Sequence, residues 1–299
     1  MARYFSMVAP GIRENLAWVV DGDEAYRVGI PDVKTHPNCY FKLDPSDPLL
    51  ESFEKSWLGW RAGTVLHEKP LAPGEYYARM ARPIDNHPND PGRFPTHSLY
   101  QTEIAGTVGQ LVSLVGRLRE ICQSVQPEKA NLPVYGHAIR ECLMIAATEV
   151  ESHWKAVLRA NGVTGARLST TDYIKTLAAM KLNEYELIFS HYPGIGVVAP
   201  FKWWEISAPT QTLAFYDAYN AVKHDRESAF ARGTLEQAIN GVGACAIMAV
   251  AQFGLTDVIN RNRSLAEYFQ VRSRPKWTPG ELYTMDFDPW KAQPVHYPF

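Results

Sequence analysis

Apolar side chains return at helical spacing through the middle of the chain. In residues 97–125, "HSLYQTEIAGTVGQLVSLVGRLREICQSV", one stripe collects Ile104, Val108, Leu111, Val115, Leu118 and Cys122, which predicts a long helix. After the break "QPEKANLP" a second helix is predicted over roughly 134–160, with Ile139, Leu143, Ala147, Val150, Trp154 and Val157 on its inner face. Gly162 of "ANG" suits a left-handed stop. A short helix at about 170–180 follows, and then "YELIFSHYPGIGVVAPFKWW", which reads as extended with a turn at Pro193–Gly196. Pro209–Thr210 predicts the start of a third long helix running to about 226. A fourth covers about 234–255, and its "GVGACA" suits close helix packing.

The two ends have another texture. Residues 1–97 are rich in Pro, Trp, Tyr and turn signals, with short strand-like runs such as "AWVVDG" and "TVLHEK". Residues 260–299 return to a Pro/aromatic texture, and their aromatic content favours docking on the surface over disorder. The expected organisation has three parts. Residues 1–97 are irregular or form a small β-containing region, 98–259 form a bundle of four principal helices, and 260–299 are a packed tail. The expected fold class is mainly α, with irregular or short-β arms at both ends.

Composition adds exclusions. Hydrophobic residues make up 46% and charged residues 21% of the 299, which is the balance of a chain that buries a core. The net charge of −2 offers no general basic field for nucleic acid, so any such contact must come from a local patch. Cys39, Cys122, Cys142 and Cys245 are widely spaced, against both a zinc site and a disulfide scaffold. The histidines show no ligand spacing, so neither a metal nor another cofactor is expected. The amino terminus lacks a signal-peptide core, and "VGACAIMAVAQFGL" is too short to span a bilayer. These features lead to the expectation of a cytoplasmic protein without a membrane segment.

Candidate chemistry concentrates in "FYDAYNAVKHDRESAF", residues 215–230. Asp217, Asn220 and His224 stand at i, i+3 and i+7 on one stripe of the third helix, and Lys223 lies beside Asn220. Arg226 falls nearly opposite His224 if the helix stays regular. Metal-free RNA cleavage needs a base for the 2′-hydroxyl proton, a cation for the phosphorane charge and an acid for the leaving oxygen. A histidine suits both proton transfers, because imidazole titrates near neutrality. Lys223 or Arg226 can supply the charge, and Asn220 can orient a phosphate or the ring. Glu149 can polarise His224 or pair with Arg226. Trp203 and Trp204 in "KWW", with the "RNR" and "RSR" triplets, offer stacking surfaces and local charge to single-stranded nucleic acid. Two plainer readings stand beside catalysis: phosphate or nucleotide binding, and polar side chains that only fix helix register.

Two segments carry a resemblance to a known family. "ATEVESHWKAVLRANG" at 147–162 and "YNAVKHDR" at 219–226 resemble segments of the HEPN superfamily, helical-bundle domains of prokaryotic toxins, defence systems and RNA-processing proteins. The resemblance covers about 97–259 and implies an HEPN-like bundle. In ribonuclease members an Arg precedes the His, whereas here Arg226 follows His224. It further implies a homodimer in which two copies of His224 face one another. The function expected on this basis is a metal-independent endoribonuclease of a prokaryotic defence or toxin system. The alternatives are a non-catalytic HEPN-like module binding nucleotide, RNA or a protein partner such as an antitoxin, and a structural or assembly protein.

Overall fold

The computed structural model describes residues 1–12, 15–85, 99–285 and 292–299, with the side chain of Arg226 outside that description. The chain divides into two compact units. The first takes the described residues of Met1–Tyr77, Arg82–Thr96 and Trp277–Val295; the second takes those of Ala78–Ala81, His97–Lys276 and His296–Phe299.

In the first unit, β1 (Arg3–Val8), β2 (Leu16–Asp21), β3 (Glu24–Arg27), β4 (Tyr40–Lys42) and, after helix α1 (Leu49–Ser56), β5 (Val65–Lys69) form one antiparallel sheet. Its order is β4-β3-β2-β1-β5. Asp21 pairs with Glu24, so Gly22–Asp23 is a two-residue turn, with Gly22 at φ 62° as such hairpins require. Alternation sends Phe5 and Met7 of β1, and Leu16, Trp18 and Val20 of β2, into a core closed by Phe53 of α1 and by Trp57. Phe41 and Phe53 meet the Trp18 ring at centroid distances of 5.4 and 5.3 Å. Ser6, of opposite parity, is also buried and donates at 3.2 Å to Asp85, which pairs with buried Lys69 and accepts from Thr284 Oγ1 at 2.7 Å. β6 (Glu75–Tyr77) runs parallel to β10 (Gln293–Val295).

The second unit contains α2 (Gln101–Ser124), α3 (His137–Ala160), α4 (Thr170–Tyr173), α5 (Lys175–Met180), β7 (Glu186–Phe189), β8 (Val197–Val198), α6 (Ala214–His224), α7 (Arg226–Ala229), α8 (Leu235–Phe253), α9 (Arg263–Tyr268) and β9 (Phe269–Ser273). α8 is buried along most of its length, between α2, α3 and α6. The apolar face expected for α3 is buried throughout. Each large side chain so buried contributes roughly 1.5–3 kcal/mol. β8, β7 and β9 form a three-stranded antiparallel sheet against α8. Among the described residues, no helix is long and apolar enough to cross a membrane.

The expectation of a mainly α fold, a bundle of four principal helices with irregular or short-β arms, is corrected. Of the described residues, 47% are helix and 16% strand, and the region read as irregular or weakly β holds a five-stranded antiparallel sheet. The runs at 16–21 and 65–69 are strands β2 and β5, but β1 carries no sharp alternation of its own. Its pairing with β5 joins residues some sixty positions apart in the chain, which no local pattern announces. The third long helix is also shorter than expected. Trp204 Nε1 takes the Pro209 carbonyl at 2.7 Å and Thr212 Oγ1 takes that of Ala208 at 2.8 Å, so helix begins only at Ala214. It ends at His224, because Asp225 (φ −138°, ψ 79°) leaves helical geometry.

Candidate functional site

α6 meets α3 and α8 through Phe215, Ala218, Tyr219 and Val222, all buried, which turns its polar residues toward the surface. Asp217 and Asn220 are half-buried, whereas Lys223, His224 and Asp225 are exposed. Lys223 Nζ donates to the Tyr219 hydroxyl at 2.9 Å and lies 5.0 Å from that ring's centroid. The hydroxyl contact holds the Lys223 ammonium above its ordinary pKa. Asp217 is ion-paired with Arg232. The His224 imidazole has no hydrogen-bond or ion-pair partner among the described residues, and it stands where the helix breaks. Asp225 turns the chain there and accepts from the Ser228 amide at 3.1 Å, which caps α7. The Arg226 side chain lies outside the described residues.

The carboxylate facing α6 is Glu151. It accepts from the Tyr216 hydroxyl at 3.1 Å and the Tyr173 hydroxyl at 3.3 Å, and it pairs with Lys155 one turn on. Burial works to raise the Glu151 pKa, but the bond from Lys155 and then those from Tyr216 and Tyr173 outweigh it and leave the carboxyl below its ordinary range. Burial, and then the Glu151 charge, push both tyrosines upward. Beneath them Trp154 stacks on Tyr173 at 5.1 Å and meets Tyr216 at 5.4 Å. Glu149, two residues earlier, points elsewhere. It lines a groove with Gln110, Met144, Ile145 and Thr148, its pKa is raised by burial, and Oε1 lies 3.6 Å from His153 Nε2.

The end of α6 is held from α3 by Arg140, whose Nη2 donates to the Val222 carbonyl at 3.2 Å. That places a cation over the negative end of the helix, two residues before His224.

Trp203 and Trp204 part company. Trp204 is buried against Trp154, with ring centroids 5.1 Å apart, while Trp203 is 74% exposed. Trp203 borders a groove of about 400 Å³ together with Lys202, Glu186 and Arg272.

Of the residues expected to act together, Asp217, Asn220, Lys223 and His224 share α6, while Glu149 and the two tryptophans lie on other surfaces or in the core. Glu151, Tyr173, Tyr216, Tyr219, Arg140 and Arg232 were not expected. The spacing of Tyr216, Tyr219 and Lys223 at i, i+3 and i+7, and of Glu151 and Lys155 at i, i+4, was the available signal. No residue pattern marked Arg140. No family model, curated protein or solved structure matches the chain.

Proposed function

We propose that the protein acts on RNA at the end of α6, as an HEPN-like, metal-independent endoribonuclease of a prokaryotic defence or toxin system. The observation that carries this reading is the state of His224: exposed, without a partner among the described residues, and beside the exposed cation Lys223 at a break in the helix. As base, His224 takes the 2′-hydroxyl proton, and the freed oxygen attacks the adjacent phosphorus. The P–O5′ bond breaks, and the leaving oxygen takes a proton from an imidazolium, supplied by a second copy of His224 in a symmetric dimer. The products are a 2′,3′-cyclic phosphate and a 5′-hydroxyl. Lys223, aimed by Tyr219, offsets charge on the phosphorane. Asn220, half-buried on the same helix, donates to a non-bridging oxygen. Arg140 positions the helix end and does not touch substrate.

A second reading is favoured by a specific observation: Asp217 is already engaged by Arg232, and Lys223 by Tyr219. With those groups occupied, the same surface suits a non-catalytic module that binds RNA or nucleotide.

Incubation of the purified protein with a mixed RNA pool in EDTA separates the two. The enzyme reading expects new 2′,3′-cyclic phosphate ends from the wild type and a loss of at least about 100-fold in His224→Ala. Equal background from both proteins would leave the binding module.

A further inference from the structure

The face of the second unit formed by β8, β7, β9 and the first turns of α8 carries a groove of about 400 Å³, within the range of small-molecule sites. Its floor is apolar, from Ile195, Val198 and Ile239, all buried. Its rim is polar. Glu186 of β7 sits between Lys202, with Nζ 3.3 Å from Oε1, and Arg272 of β9, with Nε 3.8 Å from Oε2. The carboxylate therefore holds two long cationic side chains on one rim, and one carboxylate does not use all of their N–H donors. Both cations stay about half exposed, at 47% and 56%.

Trp203 borders the same groove and keeps 74% of its surface in water. A ring of that size buries 150–250 Å² in a typical core or interface (an order-of-magnitude range), so leaving it open forgoes a large stabilisation. Its neighbour Trp204 makes the contrast, because it is 3% exposed and fully used in packing. Asn240 of α8 donates from Nδ2 to the Glu236 carbonyl at 3.0 Å, and its amide oxygen remains to accept from a ligand.

We propose that this groove binds a nucleotide, with the base stacked on Trp203 and its edge at Asn240, and the phosphate held by Lys202 and Arg272. The charge balance narrows the ligand. Lys202 and Arg272 are matched by Glu186 and Glu236, so the groove does not concentrate a bare anion; stacking and phosphate contact must act together. A nucleotide provides both, whether free or as a unit of an RNA strand. The residues lining it do not come from α6, and binding there does not depend on cleavage.

Calorimetric titration of the full-length protein tests it, with AMP, UMP, adenosine, inorganic phosphate and a five-nucleotide single-stranded RNA as probes. Saturable binding of AMP or UMP is expected, with adenosine and phosphate each weaker by about tenfold or more, the scale of one lost stack or charge contact. Trp203→Ala and Arg272→Gln should each weaken the nucleotide by about tenfold, and Arg263→Gln, an exposed α9 residue that does not line the groove, should leave it unchanged. Oligonucleotide binding that is tighter than that of AMP and is weakened by Trp203→Ala assigns the groove to a strand, and AMP binding that is the tighter and equally Trp203-dependent assigns it to a free nucleotide. Saturation by neither, or affinities that Trp203→Ala and Arg272→Gln leave untouched, would overturn the proposal. A shift caused by His224→Ala alone would move the binding to α6 and overturn it too.

Discussion

His153 lies on the inner face of α3 with its tautomer set by a neighbour. Arg79 Nε donates to Gln252 Oε1 at 2.9 Å, so the Gln252 amide nitrogen must face His153, where it lies 3.0 Å from Nδ1. Nδ1 is then an acceptor, and the ring is the neutral tautomer with its proton on Nε2. Burial first, and then the Arg79 charge, lower the pKa to about 3 from the ordinary 6.5. Between those values the unfolded chain binds a proton that the folded protein refuses, so stability is full above about 6.5 and falls as the pH drops toward 3. Glu149 works the other way, because burial raises its carboxyl and favours the folded form as acid is added. Comparison with His153→Gln isolates the imidazole. From pH 7 to pH 5, denaturant unfolding should show the wild type losing about 2 kcal/mol more stability than the variant. An equal loss in both would show that His153 is not held neutral.

At the scale of elements, small residues decide how α8 packs. A Cβ added at Gly243 would lie 2.9 Å from Val198 Cγ1, and one at Gly241 would lie 3.1 Å from the Ala146 Cβ of α3. The branched Val198 side chain is fixed in β8 and has little room to give way. At Gly109, exposed on α2, an added Cβ meets nothing within 4 Å. The same substitution should therefore have opposite signs. Gly243→Ala is expected to cost about 1–3 kcal/mol, and Gly109→Ala to gain about 1 kcal/mol from helix propensity. Thermal melts of the two variants check this; equal shifts would mean that contact across α8 does not limit its packing. The "GVGACA" pattern was legible as a packing face because it is local to one helix. Which strand it would meet was not legible, since β8 is only two residues long and lies some forty positions away. The end of α6 was partly legible in the same way: Asp225 and Ser228 stand at cap spacing, but the periodic apolar pattern runs across them and masks the break.

For the molecule as a whole, the second unit is closed by pieces far apart in the chain, and one side chain ties three of them. Asn161, at the end of α3, donates from Nδ2 to the carbonyls of Ala78 and Val157, each at 2.8 Å, and accepts from the Tyr297 amide at 2.8 Å. It is buried, and its removal leaves the buried Ala78 carbonyl without this donor, while the Val157 carbonyl keeps the Asn161 amide. Asn161→Ala should lower the stability of this unit by about 1–3 kcal/mol, the cost of leaving the buried Ala78 carbonyl without its donor. Hydrogen exchange should show the loss at residues 78–81 and 296–299 first. Unchanged protection at both segments would mean that they are held by other contacts. Gly162, the next residue, takes φ 80° as the "ANG" stop requires, so the turn that delivers Asn161 was readable.

The sequence by itself determined the long helices α2, α3 and α8, the inner face of α3, the turn at Gly162 and the polar surface of α6. Each is written within a few turns of one helix, where spacing alone decides which side chains share a face. Tertiary structure decided the five-stranded sheet, because antiparallel partners such as β1 and β5 are chosen across the fold. It also decided that Glu151 and not Glu149 meets α6, since two carboxylates two positions apart point to nearly opposite sides of a helix and only the packing of α6 selects one. Trp203 and Trp204 were alike as residues, and the chain path after β8 buried one ring and left the other in solvent. Arg140 joins the site only because α3 passes the end of α6.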